Sequence, residues 1–208
     1  MSLNYQSLEK LLSELEIFGR SHDQANMDRS HRMLNITRET GEFLNVLVQA
    51  TNAKRILEIG TSNGYSTLWL AQAAQAIDGH VFTVELSEYK IELAARNFAR
   101  SGISNFITQV EGNAKDLLEA KSDSSFDLLF LDSERSDYLD WWPHIRRILR
   151  PGGLLVMDNA LSHAEEVAAF ILLVSADPAY STCTVPVGKG EFLATDAGKL
   201  KTSLSTGV

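Results

Sequence analysis

Cysteine, basic charge and long apolar runs are all scarce in this chain, and each shortage closes off a class of protein. A single cysteine, Cys183, among 208 residues excludes an internal disulfide. No Cys/His group has zinc-binding spacing, so a reducing, cytoplasmic setting is expected and Cys183 reads as a small buried hydrophobe. Lys and Arg number 19 against 27 Asp and Glu, a formal charge of −8. That balance argues against broad attraction to nucleic acid and favours small-molecule partners. No apolar run approaches the roughly 20 residues of a membrane span. Glu9, Lys10, Glu14 and Glu16 interrupt the first apolar stretch, where a secretory core would carry no charge. Repeats, low-complexity tracts and linkers are also missing, so one domain is expected.

What the chain does have is alternation. Leu8, Leu11, Leu12, Leu15 and Phe18 share a helical face over residues 5–18, with Gly19 as its stop signal. Residues 21–35 are polar and unpatterned and read as a loop or short helix. Thr37 can cap a second helix that ends at Asn52. From residue 54 onward strand and helix patterns alternate: RILEIG, HVFTVEL, NFITQVEG, FDLLFLD and LLVMDN each precede a helix, with Arg150-Pro151-Gly152-Gly153 as a turn before the fifth. Two last strands, STCTVPV and EFLATD, flank Gly188-Lys189-Gly190 and read as an antiparallel pair. The fold class is therefore α/β: a doubly wound, Rossmann-like sandwich on a mostly parallel sheet of seven strands, the last one reversed. Residues 1–53 would form a helical cap, 54–196 the α/β core and 197–208 a frayed tail.

In such a sheet ligands sit over the carboxyl ends of the strands, and here those ends are acidic. The stretch ILEIGTSNGYSTLWLA carries Glu58, Gly60 and Gly64 at a strand-to-helix turn whose free N–H groups point above the strand. Gly, Ser and Asn also serve as ordinary loop punctuation. Glu85 ends the second strand 21 residues beyond Gly64, about the spacing at which an acid receives ribose hydroxyls. The third glycine of a dinucleotide fingerprint is absent, and a carboxylate at Glu58 is unfavourable beside a pyrophosphate but favourable beside a sulfonium or ammonium group. Asp132, Asp158 and Asn159 end two strands expected to be neighbours. Three oxygen donors of this kind suit Mg, Mn or Ca and not zinc.

Together LNITRETGEFL, LEIGTSNGYS, VEGNA, FDLLFLDSERSDY and LRPGGLLVMDN resemble the cation-dependent O-methyltransferases, the group of class I S-adenosylmethionine-dependent methyltransferases holding the catechol and caffeoyl coenzyme A enzymes. The resemblance covers residues 34–196. It implies S-adenosyl-L-methionine as cofactor, with Glu58, Gly60 and Ser66 on its methionine part, Glu85 on the ribose, Asn113 and Ala114 at the adenine edge, and Asp132 touching both donor and metal. It implies a divalent cation on Asp132, Asp158 and Asn159, methyl transfer to a small hydroxylated acceptor, and a homodimer. Arg135 stands where the family usually has the lysine thought to take the proton; an arginine stays charged and is suited to steadying a phenolate or orienting a carboxylate. His163 also departs from the family pattern and reads as a polar helix-start residue.

Two other readings remain open on sequence grounds. One is methylation of a hydroxylated tRNA base, with Arg96, Arg100, Arg146, Arg147 and Arg150 as a local basic cluster. The other is a nucleoside-binding domain without catalysis, or a dinucleotide oxidoreductase.

Overall fold

The computed structural model describes residues 2–196; the tail expected to fray, 197–208, lies outside them. Helix α1 (Ser2–Ala25) buries Leu8, Leu11, Leu12 and Leu15. It does not stop at Gly19. A Cβ there would come within 2.6 Å of the Asn35 amide nitrogen, so this glycine permits a close approach instead of ending the helix. A mid-helix glycine costs only about 1 kcal/mol, which the four buried leucines outweigh.

The stretch read as an unpatterned loop is held down over the strand ends. A single 3-10 turn, Arg29–His31, is capped by Asp28. The Asp23 carboxylate accepts the backbone N–H groups of Met33 (2.6 Å) and Leu34 (2.9 Å), and Met33 is buried. Thr37 then caps α2 (Arg38–Thr51), which Asn52 ends in the left-handed conformation.

The core alternates as its patterning requires: β1 (Arg55–Ile59), α3 (Tyr65–Ala76), β2 (His80–Glu85), α4 (Glu88–Ser101), β3 (Ile107–Glu111), α5 (Ala114–Ala120), β4 (Phe126–Leu131), α6 (Tyr138–Ile148), β5 (Leu149–Met157), α7 (Ala164–Ala176), β6 (Tyr180–Val185) and β7 (Glu191–Asp196). The sheet order is β3-β2-β1-β4-β5-β7-β6, and β7 runs antiparallel to both of its neighbours. Side chains alternate between the faces. Ile56, Leu128, Phe130 and Val156 pack with α1 to α4, while Leu57, Ile59, Leu129, Leu131 and Met157 pack with α5 to α7.

Two local expectations change. The turn at residues 150–153 is drawn into β5 as a bulge: Phe126 pairs with Leu149 but Leu128 pairs with Leu154. Proline cannot continue the ladder, and Arg150 fastens the bulge by donating from Nε to Asp127 at 2.6 Å. Cys183 is exposed, because β6 is an edge strand covered on one face only and Cys183 points to the other.

Candidate active site

The site stands on the switch point between β1 and β4, where the strand order reverses. Near their ends β2, β1 and β4 each offer a carbonyl to the first loop residue of a neighbouring strand: Gly60 N–H donates to Val84, Asp132 N–H to Ile59 and Asp158 N–H to Leu131, at 3.0–3.1 Å. These bonds bring the loops after β1, β2, β4 and β5 together around a cavity of about 750 Å³.

Of the residues singled out from sequence, Gly60, Glu85, Asn113, Ala114, Asp132, Arg135 and Asn159 line this cavity. Ser66 borders a small recess beside it that shares Gly60 and Asp132. Glu58 reaches neither. It is fully buried beneath α3 and accepts hydroxyl bonds from Ser66 (2.5 Å), Thr83 (2.6 Å) and Thr67. Burial pushes its carboxyl up to about 7, against the pull of those hydroxyls. Glu58 thus anchors the first turn of α3 to β1 and β2, and any influence on a ligand is exerted as charge from below.

Glu85 ties the glycine loop to the next turn, accepting the N–H of Ser62 at 2.9 Å on one oxygen and those of Leu86 and Ser87 at 3.0 Å on the other. Asn113 caps α5 through the Lys115 N–H at 2.8 Å. Gly60 has φ +106°, and a Cβ there would overlap the carbonyl of Asp132, so only glycine lets the β1 and β4 loops meet.

Asp132, Asp158 and Asn159 do converge. The Asn159 amide nitrogen donates to Asp158 at 2.7 Å and lies 3.5 Å from Asp132. Asn159 takes φ +67°, a left-handed backbone that asparagine tolerates. One Asp158 oxygen, Oδ1, is buried and meets no N–H or hydroxyl donor among the described residues. Burial and then Asp158 raise the proton affinity of Asp132 well above the carboxylate range. Two carboxylates with such an oxygen fit a hard cation; as the amide lies, its nitrogen bridges them where a cation would bind. A half-turn of that amide would present its oxygen instead and release the bond from Ser162 (3.1 Å).

Two contributors, Glu191 and Met33, were not legible from motifs. Glu191 is fully buried; its register at the start of β7 sets it opposite Asp158, since Met157 pairs with Phe192. It accepts from the Thr40 hydroxyl at 2.9 Å, and burial, followed by the charge of Asp158 and a carboxyl hydrogen bond shared with it, pushes it up to about 10. Met33 closes the cavity from the cap, its carbonyl held by Ser62 Oγ at 2.7 Å. Arg135 is buried and donates to Glu166 at 2.9 Å. His163 precedes α7 without capping it by a side-chain bond, and it lines the cavity. Trp141 also lines the cavity, whereas Trp142 is packed edge-on against Phe170 and Tyr180.

The arginines of the possible basic cluster each hold an acid: Arg96 with Glu92, Arg100 with Glu14, Arg146 with Asp177, Arg147 with Asp123 and Arg150 with Asp127. Among the described residues no helix is long and apolar enough to cross a membrane.

A doubly wound sheet with an acid-lined cavity at its switch point defines a nucleoside-binding class of α/β protein. The family model described as O-methyltransferase matches residues 8–196, and the chain belongs to that family. It is 35% identical over 126 residues to a catechol O-methyltransferase of Mycobacterium tuberculosis, covering 61% of this chain but only 57% of that relative. It is 30% identical over 174 residues to caffeoyl-CoA O-methyltransferase 1 of Eucalyptus globulus, covering 73% of this chain and 70% of the relative. Among solved structures, an O-methyltransferase from Bacillus cereus in complex with SAH superposes with a TM-score of 0.75 at 26% identity, covering 92% of this chain and 90% of that one.

Proposed function

We propose that the protein transfers a methyl group from S-adenosyl-L-methionine to a hydroxyl of a small aromatic acceptor with two adjacent hydroxyls, assisted by a divalent cation, Mg by preference, with Mn or Ca as alternatives. The observation that carries this reading is the meeting of two ligand sets in one cavity: the Gly60 loop with Glu85, Asn113 and Ala114, and the oxygen donors Asp132 and Asn159 with Asp158 behind them.

The chain's own residues supply positioning and charge. Glu85 holds the Ser62 loop in the shape that leaves its outer face open to ribose hydroxyls, and the end of α5 capped by Asn113 offers backbone N–H groups to an adenine edge. Buried Glu58 lies below the methionine end, where its charge favours a sulfonium. Asp132, Asp158 and Asn159 would hold the cation. When bound, the cation supplies Lewis acidity that lowers the pKa of an acceptor hydroxyl. Arg135 cannot accept a proton at working pH; turned toward Glu166, it adds positive potential beside the acceptor. The ion pairs of Arg96, Arg100, Arg146, Arg147 and Arg150 leave less free positive charge for tRNA, which favours the small-molecule reading.

The test is methyl transfer to a catechol panel with Mg, before and after chelation, in wild type and Asp158→Ala. Chelation should abolish turnover and added Mg restore it, and Asp158→Ala should lose at least about 100-fold in kcat/KM. Activity indifferent to both would sink the metal-assisted mechanism. A homodimer belongs to the same proposal; it is supported by Leu172 and Leu173, exposed side by side on α7 next to edge strand β6.

A further inference from the structure

Glu191 is fully enclosed at the start of β7, and the proposed chemistry makes no use of it. The bonds around it form a chain that begins on the cap. The Thr37 hydroxyl, at the N-cap of α2, donates to the Thr40 hydroxyl at 3.4 Å; Thr40, itself fully buried, donates to Glu191 Oε1 at 2.9 Å. Glu191 Oε2 and Asp158 Oδ1 are the two buried carboxyl oxygens that meet no N–H or hydroxyl donor among the described residues, and a carboxyl hydrogen bond joins the two residues. One shared proton satisfies both oxygens. Asp158 Oδ2 accepts from the Asn159 amide at 2.7 Å, so Asp158 is gripped at each end of its carboxylate. Each oxygen keeps a second lone pair, and neither bond closes Asp158 to a cation. The β6–β7 hairpin is fitted to the same chain. Gly188 has φ +55°, and a Cβ there would lie 2.2 Å from Thr40 Oγ1 and 2.6 Å from Thr37 Oγ1. The hairpin also accepts the N–H of Ala160 on Gly190 at 2.8 Å and those of Leu161 and Ser162 on Lys189, which fastens the loop carrying Asn159 to the turn that meets α2.

Enclosing an acid here has a cost that a leucine in the same strand position would not carry. What the acid supplies is direction. Asp158 and Asp132 act on one another as like charges, and an Asp158 side chain free to rotate would turn away from its neighbour. We infer that Glu191, braced by Thr40, is a positioning residue for the cation site: its carboxyl holds Asp158 beside Asp132 and Asn159, and through Thr40 it links the cap helix α2 to cation affinity. The inference rests on the metal-assisted reading. Glu191 does not line the cavity, so it acts through Asp158 without touching cation or acceptor.

The test counts free Mn by its electron paramagnetic resonance signal over chelator-treated protein saturated with S-adenosylhomocysteine, in wild type, Glu191→Leu, Glu191→Gln, Thr40→Val and Glu191→Leu/Thr40→Val. Calorimetry of S-adenosylhomocysteine binding serves as the fold control. Glu191→Leu fills the space without the hydrogen bonds and should weaken Mn binding about tenfold or more with homocysteine-ligand affinity intact. Glu191→Gln keeps an N–H for Asp158 and a carbonyl for Thr40, and should bind Mn as wild type does. Thr40→Val should weaken Mn binding by itself and add nothing to Glu191→Leu, in which the link is already cut. Wild-type Mn affinity in either Glu191→Leu or Thr40→Val overturns the inference and leaves the metal-assisted reading standing. A glutamine variant as weak as the leucine variant also overturns it, because Glu191 would then be lending its charge to the cation. Failure of wild type to bind Mn removes the metal-assisted reading and the inference with it.

Discussion

Glu58 illustrates how one residue's chemistry depends on which way it faces. At the end of an apolar strand it reads as a ligand for a positively charged group, yet its oxygens are taken by Ser66, Thr67 and Thr83. Its carboxyl is pushed up to about 7 from an ordinary 4.5. A carboxyl raised in the folded state stabilises the ligand-free protein fully below about pH 4.5 and loses that contribution as pH rises through 7, a decline of about 3 kcal/mol. Urea unfolding from pH 4.5 to 8 should therefore show a steeper fall for wild type than for Glu58→Gln. Parallel curves would mean that Glu58 ionises freely. A strand-end acid is legible in sequence; that three hydroxyls from two other elements enclose it is not, because Thr83 and Thr67 carry no motif.

At the scale of elements, the site is a set of loops whose spacing is set by backbone contact. The β1 loop touches the β4 loop at Gly60, where φ is +106° and a Cβ would meet the Asp132 carbonyl. Gly60→Ala should cost about 1–3 kcal/mol by strain alone and displace Asp132 as the loops part. Urea melts and calorimetry with S-adenosylhomocysteine measure both effects; stability and affinity at wild-type level would show that the loop yields freely. The strand and helix order was legible because periods of 2 and 3.6 are written in the apolar residues. Two element readings went astray for a shared reason. Gly19 and the 150–153 stretch look like stops, but a glycine also marks close packing or a bulge, and only the neighbouring chain, Asn35 in one case and Asp127 in the other, decides which.

For the whole molecule, the two faces of the sheet have different work. The α1 to α4 face carries the cap and roofs the cavity with Met33, while the α5 to α7 face ends in exposed Leu172 and Leu173 beside β6. Light scattering should report about twice the chain mass of 23.0 kDa, and Leu172→Glu/Leu173→Glu should return the single-chain mass without loss of helicity, given the cost of burying an unpaired charge at an interface. A wild-type protein at single-chain mass across micromolar concentrations would remove the homodimer proposal.

The sequence by itself determined the alternation of elements, the reversed last strand, and the acids and glycines at strand ends, because these follow from local periodicity and from the backbone freedom of single residues. Tertiary structure alone decided which side chains face the cavity. Glu58 turned inward; Glu191 came to lie opposite Asp158 through the register of β7; and Arg29, Arg135 and Lys189, separated by more than a hundred residues at the extremes, were brought to one cavity. Facing and register depend on contacts between distant segments, and a one-dimensional pattern does not carry those contacts.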